Sequence, residues 1–340
     1  MTIANMGEWG ESGIAAFILI AAATLDFLIG DPWSWPHPVQ VMGWGIHHYS
    51  TLALKYIPSP LGLRLAGVGL AIALIGLSGI TGWGAIALMT HLHPLLGLGM
   101  HIVLLAACFA GRSLRDAATD VLAPLTLAHP TDQPITANHL AEARTRLSRY
   151  VGRDTQALDP PEILRAILET VGENGVDGIM GPLFYALVGA MTPLGSAPVA
   201  LAYKAASTLD SMVGYKEPPY TDLGWCSAKL EDLLTWVPCR LTVLTLALLS
   251  GRPLHVLRLC RRDAAADPSP NSGWSECAYA ASLGVQVGGT NTYKGVVKHK
   301  PLMGEGDRPI TASVIYQGLR LNRACFLIWL GLGVTIRFIA

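Results

Sequence analysis

The chain has 340 residues, of which 51% are hydrophobic and only 14% are charged, whereas soluble domains carry about 25% charged residues. This composition predicts a polytopic membrane protein. The formal net charge is zero, so the chain lacks the basic field that holds nucleic acid, and nucleic-acid binding is excluded. The six cysteines are scattered, without a C-x-x-C pair or a histidine at zinc-ligand spacing, which argues against a disulfide framework and a cysteine metal site.

The longest stretch without Asp, Glu, Lys or Arg runs from Leu65 to Gly111. One span needs about 20 residues, so this stretch predicts a helical hairpin, with its turn at His93-Pro94 because proline and the residue before it interrupt helices. With two further apolar runs, the sequence predicts four transmembrane helices, at 13–30, 65–89, 95–110 and 324–339.

The segment before the first span, Met1–Ser12, holds no basic residue, so the positive-inside tendency places it outside. It also lacks the positive region of a secretory signal, which predicts a retained helix and not a cleaved peptide. A hairpin returns the chain to the side it left. The polar inserts 112–177 and 252–323 are therefore expected on the cytoplasmic face.

Two further apolar stretches, 178–203 and 233–251, are interrupted by proline and by glycine or arginine. Each is either re-entrant or spanning, and broken helices at membrane depth need cover from protein or a polar cavity. We favour both dipping in without crossing, which keeps every polar segment cytoplasmic. The predicted fold is an all-α polytopic membrane protein, a single membrane-embedded unit with transmembrane helices, broken or re-entrant helices and cytoplasmic helical inserts.

The sequence Asp159-Pro160-Pro161-Glu162 has the N-cap, first-turn proline and N3 carboxylate of a helix start. The predicted helix leads into Glu173. Glu173 and Asp177 are four residues apart, on one face of a helical turn, and such a pair suits Mg²⁺. The alternative is a solvated helix end at the membrane interface.

Beyond the first broken stretch, Lys204 is followed by a hydroxyl-rich segment that carries Asp210 and Lys216. This pattern resembles a phosphate or metal pocket. The alternative for Lys204 is that it reaches from the apolar segment to the interface.

Asp26 lies inside the first apolar run, and Asp31-Pro32 ends that run shortly before His37. Carboxylates within or at the edge of a membrane are costly and are candidates for function. For Asp31, an Asp-Pro turn that ends the helix is the strong alternative.

Late in the chain, Asn271-Ser272-Gly273 precedes a short helical stretch, and Gly288-Gly289 is followed by Asn291 and Tyr293. Such segments present backbone N–H groups and short side chains to an anion, or they form an ordinary capped helix and a glycine-rich turn. The familiar loops G-x-x-x-x-G-K-[ST], G-x-G-x-x-G, G-x-S-x-G and H-E-x-x-H are missing from the sequence.

Taken together, these segments resemble the adenosylcobinamide-phosphate synthase (cobinamide synthase) family of cobalamin biosynthesis. The residues that carry the resemblance occur in order along the chain: Leu25-Asp26, Gly30-Asp31-Pro32, His37-Pro38-Val39, Val151-Gly152-Arg153-Asp154-Thr155, Glu173-Asn174-x-x-Asp177-Gly178, Pro182-Leu183-Phe184-Tyr185, Thr208 to Lys216, Ser269-Pro270-Asn271-Ser272-Gly273 and Gly288-Gly289-x-Asn291-x-Tyr293.

The resemblance implies a multi-pass cell-membrane ligase that uses ATP to join adenosylcobyric acid, a corrinoid, to aminopropanol or its phosphate. This chemistry assigns hypothetical roles to the candidates. The catalytic set is Glu173, Asp177, Lys204, Asp210 and Asp154, of which Glu173, Asp177 and Asp210 hold Mg²⁺ and Asp154 or His37 helps to deprotonate the attacking ammonium. Phosphates are assigned to Arg153, Lys204, Lys216 and Asn271-Ser272-Gly273, and substrate to Asp26, Asp31, His37, Asn291 and Tyr293.

The active site is expected on the cytoplasmic side, with other enzymes that complete the corrinoid's nucleotide loop as further partners. Two other functions remain open. Broken apolar segments flanked by Asp and Lys also build the midplane sites of transporters, although the sequence has no inverted repeat. A non-catalytic membrane anchor for pathway enzymes would leave the polar motifs unexplained.

Overall fold

The structure, a computed structural model, describes residues 10–30, 37–126 and 136–339. It is 75% helical, which confirms the all-α polytopic class. In its first half the helices are α1 (Glu11–Leu28), α2 (Pro38–Tyr56), α3 (Pro60–Leu92), α4 (Pro94–Ala106), α5 (Gly111–Thr126), α6 (Ala137–Leu147) and α7 (Pro160–Gly175). There follow a π-helical turn (Val176–Met180), α8 (Gly181–Ala190), α9 (Ser196–Val213), α10 (Trp225–Leu249), α11 (Pro253–Asp263), a 3₁₀ turn (Ala264–Ala266), α12 (Ser272–Leu283), strands β1 (Gln286–Tyr293) and β2 (Val296–Gly304), and α13 (Ala312–Ile339).

Four helical stretches among the described residues are long and apolar enough to cross a membrane: Pro60–Leu92, Pro94–Thr126, Trp225–Leu249 and Ala312–Ile339. Ser12–Leu28 is apolar but shorter. Of the two ambiguous stretches, 178–203 consists of the π-helical turn, α8 and most of α9, with a break at Met191–Gly195, whereas 233–251 lies largely inside α10. Sidedness and the number of crossings stay predictions.

Local sequence signals explain where several helices begin. Proline occupies the first turn of α3, α4 and α7, where its missing N–H costs nothing. The residue before each proline caps the helix: Ser59 Oγ accepts the N–H of Gly62 at 3.1 Å, and Asp159 Oδ1 accepts that of Glu162 at 2.9 Å. His93 plays the same part for α4 and separates it from α3.

The described residues divide into two compact units. The first contains the chain up to Arg112, Asp177–Thr235 and the segment from Phe326; the second contains Ser113–Val176 and Trp236–Cys325. In the first unit, a buried apolar cluster joins α2, α3 and α9. In the second, α7 buries the apolar side chains of Ile163, Ile167, Leu168 and Val171.

The hairpin β1–β2 was not predicted. The two strands pair antiparallel, with a register shift between Val287 and Gly289. Gly288 and Gly289 have φ of +91° and +94° at this irregularity, so the residues interpreted as a phosphate loop or turn form a bulge inside a strand. Lys294 and Gly295 have φ of 50° and 78°, as the tight turn of a hairpin requires.

In the first unit, α3 lies against the backbone of Leu223, and this close contact gives a test of helix packing. A Cβ added to Gly67 on α3 would lie 2.0 Å from the carbonyl oxygen of Leu223, whereas one added to Gly76 on the same helix meets nothing within 4 Å. Gly67→Ala is therefore expected to lower the free energy of unfolding by about 1–3 kcal/mol. The matched Gly76→Ala should be neutral or stabilise by up to about 1 kcal/mol. Denaturant titration in detergent measures both, and equal stability of the two variants would contradict this packing.

Candidate functional site

Around Glu169 on α7, the second unit holds a buried ion-pair network. Glu169 is 3% exposed; it pairs with Arg153 through Oε2 and accepts from Arg165 at 2.9 Å and from the N–H of Gly288 at 2.9 Å through Oε1. Burial alone would raise the pKa of Glu169, but the two guanidinium groups and the Gly288 N–H outweigh it and hold the pKa below its ordinary value. Glu169 is therefore a permanent carboxylate that joins α7 to β1.

The same network engages two of the predicted ligand-binding residues. Asn291 Oδ1 accepts from Arg153 at 2.8 Å and from Arg165 at 3.0 Å. Arg165 also donates to the carbonyls of Gly288 and Thr290. Arg153 and Asn291 thus fix the hairpin against α7 in this geometry.

Asp154 and Tyr293 lie at the hairpin turn. The two carboxylate oxygens of Asp154 accept the N–H groups of Lys294 and Gly295, at 3.1 and 2.8 Å. The N–H of Asp154 donates to the carbonyl of Thr292, and the ring of Tyr293 lies under the ammonium of Lys298. Asp154 therefore caps the turn in this geometry, a structural role beside the catalytic one predicted for it.

A second group of charges in this unit, which we call the Lys300 cluster, consists of Glu173, Asp267, Glu276 and Lys300. Lys300 Nζ donates to Glu276 Oε1 at 2.6 Å and lies 3.7 Å from Asp267 Oδ2. Burial alone would lower the pKa of Lys300, but Glu276 and Asp267 raise it, so the amine stays an ammonium. Glu276 Oε2 is buried without a hydrogen-bond partner among the described residues.

Glu173 differs from its neighbours in this cluster because its side chain is exposed. It makes no hydrogen bond or ion pair with the part of the chain that the structure describes. Although solvent reaches Glu173, protein atoms surround its carboxylate, and the resulting desolvation raises its pKa; Lys300 opposes this, while Glu169 and Asp267 add to it. Burial likewise raises the pKa of Glu276. The cluster thus combines a solvent-accessible carboxylate with a fixed ammonium.

The Asn271-Ser272-Gly273 segment is held by its own loop. Ser269 Oγ accepts the N–H groups of Asn271 and Ser272, at 3.2 and 3.1 Å. A Cβ on Gly273 would lie 2.4 Å from the Cβ of Asp267, so only glycine fits. This segment begins α12 and positions Asp267 beside Lys300.

The remaining candidates belong to the first unit. Asp26 is buried, and its Oδ1 lies 3.5 Å from the N–H of Arg112, at the N-terminus of α5, where a carboxylate is favoured by the helix dipole. His37 caps α2, since its Nδ1 accepts the N–H of Val39 at 3.3 Å. Asp31 lies outside the described residues.

In the same unit, Asp177 lies in the π-helical turn, and Lys204 and Asp210 lie on α9. A Cβ on Gly214 would come within 1.9 Å of Asp210 Oδ1, so this glycine makes room for the carboxylate. Lys204 is partly buried and Lys216 is exposed. Glu173 belongs to the second unit.

Sequence reasoning missed Arg165, Glu169, Glu276 and Lys300. The signal for the first two was present, because Glu162, Arg165, Glu169 and Glu173 follow one another at spacings of three and four on a single helix. Glu276 is the only charged residue in α12, and a lone carboxylate in an otherwise uncharged helix is a further signal. Lys300 could not be found, since its position depends on the unpredicted hairpin.

Fold and site together define a helical polytopic membrane protein with a polar, charge-rich unit. Comparison with known proteins narrows this class. The family model described as CobD/CbiB protein matches residues 19–322. The chain belongs to the CobD/CbiB family, which confirms the resemblance seen in the motifs.

Two relatives are named for the same pathway. A cobalamin biosynthesis protein CobD from Synechocystis sp. is 50% identical over 324 residues, which cover 95% of this chain and 92% of that protein. A cobalamin biosynthesis protein CbiB from Salmonella typhi is 39% identical over 320 residues, which cover 93% and 95%. No solved structure matches the chain significantly.

The buried network predicts a large effect of one isosteric change. Glu169→Gln removes the charge that compensates Arg153 and Arg165, and loss of one partner of a buried ion pair costs about 3–5 kcal/mol of the free energy of unfolding. Glu142→Gln is the control, because Glu142 pairs with Arg146 on the surface and should cost less than about 1 kcal/mol. Denaturant unfolding in detergent compares them. A Glu169→Gln protein as stable as the control would show that the network contributes little.

Proposed function

We propose that this protein is an ATP-dependent ligase of cobalamin biosynthesis that joins adenosylcobyric acid to aminopropanol, or to its phosphate, through an amide bond. Membership in the CobD/CbiB family supports this proposal, as do relatives named cobalamin biosynthesis proteins that match almost end to end. The four apolar helices fit the proposed location in the cell membrane. The active site is proposed on the cytoplasmic face, where other corrinoid enzymes would be partners.

The reaction needs an activated carboxyl group, because a free carboxylate does not react with an amine. In the proposed route, a carboxylate oxygen of the corrinoid attacks the terminal phosphorus of ATP, the bond to ADP breaks, and an acyl phosphate forms. The amine nitrogen, after losing a proton, then attacks the acyl carbon, and phosphate leaves. Both steps develop negative charge on phosphate oxygens, so fixed cations accelerate them.

The observation that carries the proposal is the accessible carboxylate of Glu173 beside the ammonium of Lys300. Mg²⁺ in phosphoryl-transfer sites is usually held by one or two carboxylates together with phosphate oxygens. Among the described residues no group of three or more His, Cys, Asp or Glu side chains lies close enough to hold a metal alone. A site completed by nucleotide phosphates, with a carboxylate that lacks a partner, fits Mg²⁺. Bound there, the ion would neutralise phosphate charge.

We keep Glu173 as the proposed metal ligand of the second unit. Asp177 and Asp210, predicted as metal ligands, and Lys204 and Lys216, predicted as phosphate contacts, belong to the first unit and stay predictions. Arg153, Asp154 and Asn291 hold the hairpin in this geometry, and their predicted roles at phosphate, in catalysis and at the substrate stay predictions. Apolar residues of α8 are proposed to contact the methyl-rich faces of the corrin.

The decisive experiment incubates the protein, purified in detergent, with adenosylcobyric acid, Mg·ATP and each amine in turn. An amide product, identified by mass, with one ATP cleaved per product is the expected result, and the preferred amine identifies the second substrate. Folded protein that binds the corrinoid but forms no product would overturn the ligase. Uptake of corrinoid into proteoliposomes without ATP turnover would then identify a transporter. If no uptake occurred, the non-catalytic membrane anchor would be the remaining function.

Variants test the proposed metal ligands separately. Glu173→Gln and Asp177→Asn preserve shape but remove charge, so each should lower kcat at least about 100-fold, as loss of a group that stabilises transition-state charge does. Each should also raise the Mg²⁺ concentration needed for half-maximal rate. Glu142→Gln is the matched control and should keep full activity. Wild-type rates in both variants would remove these residues from the site.

A further inference from the structure

Lys300 has an ammonium whose hydrogen-bonding capacity is only partly used. Of its three N–H donors, one is taken by Glu276 at 2.6 Å. Asp267 Oδ2, at 3.7 Å, is an ion pair and too distant for a hydrogen bond. Two N–H donors therefore lack an acceptor among the described residues. The side chain keeps 24% of its surface exposed, so it is partly open to solvent.

The position of this ammonium is fixed by buried groups. The side chain of Glu276 is 1% exposed. A Cβ at Gly172 of α7 would lie 3.1 Å from the Cα of Glu276, so the two helices pack too closely there for Glu276 to shift. Asp267 is held in turn, since its Oδ1 accepts the N–H of Ser269 at 2.8 Å. The ammonium is thus preorganised and does not depend on a flexible surface side chain.

An ion pair that only stabilises the fold is expected to have all of its donors and acceptors paired. Buried ion pairs recover their desolvation cost only when the remaining donors and acceptors are also satisfied. Here two N–H donors of the cation have no acceptor among the described residues, and the carboxylate of Glu173 acts electrostatically on the same ammonium. A lysine on a strand, held by a glutamate on a helix beside a metal-binding carboxylate, is a recurrent way to contact nucleotide phosphates, as in protein kinases.

We propose that Lys300 is a phosphate-binding residue of this protein and that Glu276 is the positioning residue that aims its ammonium. This inference rests on the proposed ligase function. The chemistry recognised is a phosphate group, supplied either by ATP or by the phosphorylated amine. Because the carboxylate of Glu173 would repel a phosphate without a cation, either phosphate is expected to bind at Lys300 together with Mg²⁺.

The test measures binding without turnover. Mg·ATP and aminopropanol phosphate are each titrated calorimetrically into the detergent-purified protein, with Mg²⁺ present and without corrinoid. Lys300→Met should weaken the binding of at least one of them roughly tenfold or more, since a hydrogen bond to a charged group contributes about 1.5–3 kcal/mol. The ligand that loses affinity identifies the source of the phosphate. Lys298→Met is the matched control, an exposed lysine two residues earlier on β2, and should bind both ligands as wild type does.

Further variants separate phosphate binding from folding. Binding of adenosylcobyric acid, followed by its absorbance, should be unchanged in folded variants. If Lys300→Met does not fold, Lys300→Gln replaces it, because its amide still donates to Glu276 while the charge is lost. Glu276→Gln should weaken phosphate binding, and Glu276→Asp should recover part of it.

Unchanged affinity for both ligands in the folded Lys300 variants would overturn this inference while leaving the ligase proposal intact. Wild-type protein that binds adenosylcobyric acid but neither binds nor cleaves Mg·ATP would instead overturn the proposed function, and the inference with it.

Discussion

The second unit depends on one buried carboxylate. Glu169 joins Arg153, from the loop after α6, to Arg165 on its own helix and to the N–H of Gly288 in β1. An uncompensated carboxylate at that depth would cost several kcal/mol, but two guanidinium groups and a backbone donor satisfy it. A two-stranded hairpin is at best marginally stable alone, so the place of β1–β2 follows from this network. The place of Lys300 follows from the hairpin.

This dependence separates two kinds of polar residue that look alike in the sequence. Arg153, Asp154 and Asn291 have the chemistry of ligand-binding groups, and each makes hydrogen bonds that hold the hairpin. Glu173 and Lys300 are at least partly exposed, and they keep hydrogen-bonding groups that no described residue occupies. A residue type shows what a side chain can bind, whereas its existing partners decide whether it is available. The residues that hold the hairpin are as necessary to the proposed chemistry as those that perform it.

Features with a local cause could be predicted from the sequence. Composition predicts the membrane class, and the Asp159-Pro160 start predicts α7. Features that depend on residues far apart in the sequence could not be predicted from it. A glycine pair is compatible with a turn, a phosphate loop or a bulge, and only pairing with β2 decides among them. Asp26 shows the same limit, since its partner is the start of a helix 86 residues later in the chain.

The Lys300 cluster also has a charge imbalance with a chemical consequence. It holds three carboxylates and one ammonium, all in segments outside the four apolar helices. Burial and mutual repulsion raise the pKa of Glu173 and Glu276, so part of the imbalance is relieved by protons. Under the proposed function, a divalent cation bound there would relieve it better, because it would favour the ionised carboxylates and bring phosphate oxygens with it. Cation and phosphate binding would then reinforce each other, and the proposed contact at Lys300 would select the magnesium complex of a nucleotide over free phosphate.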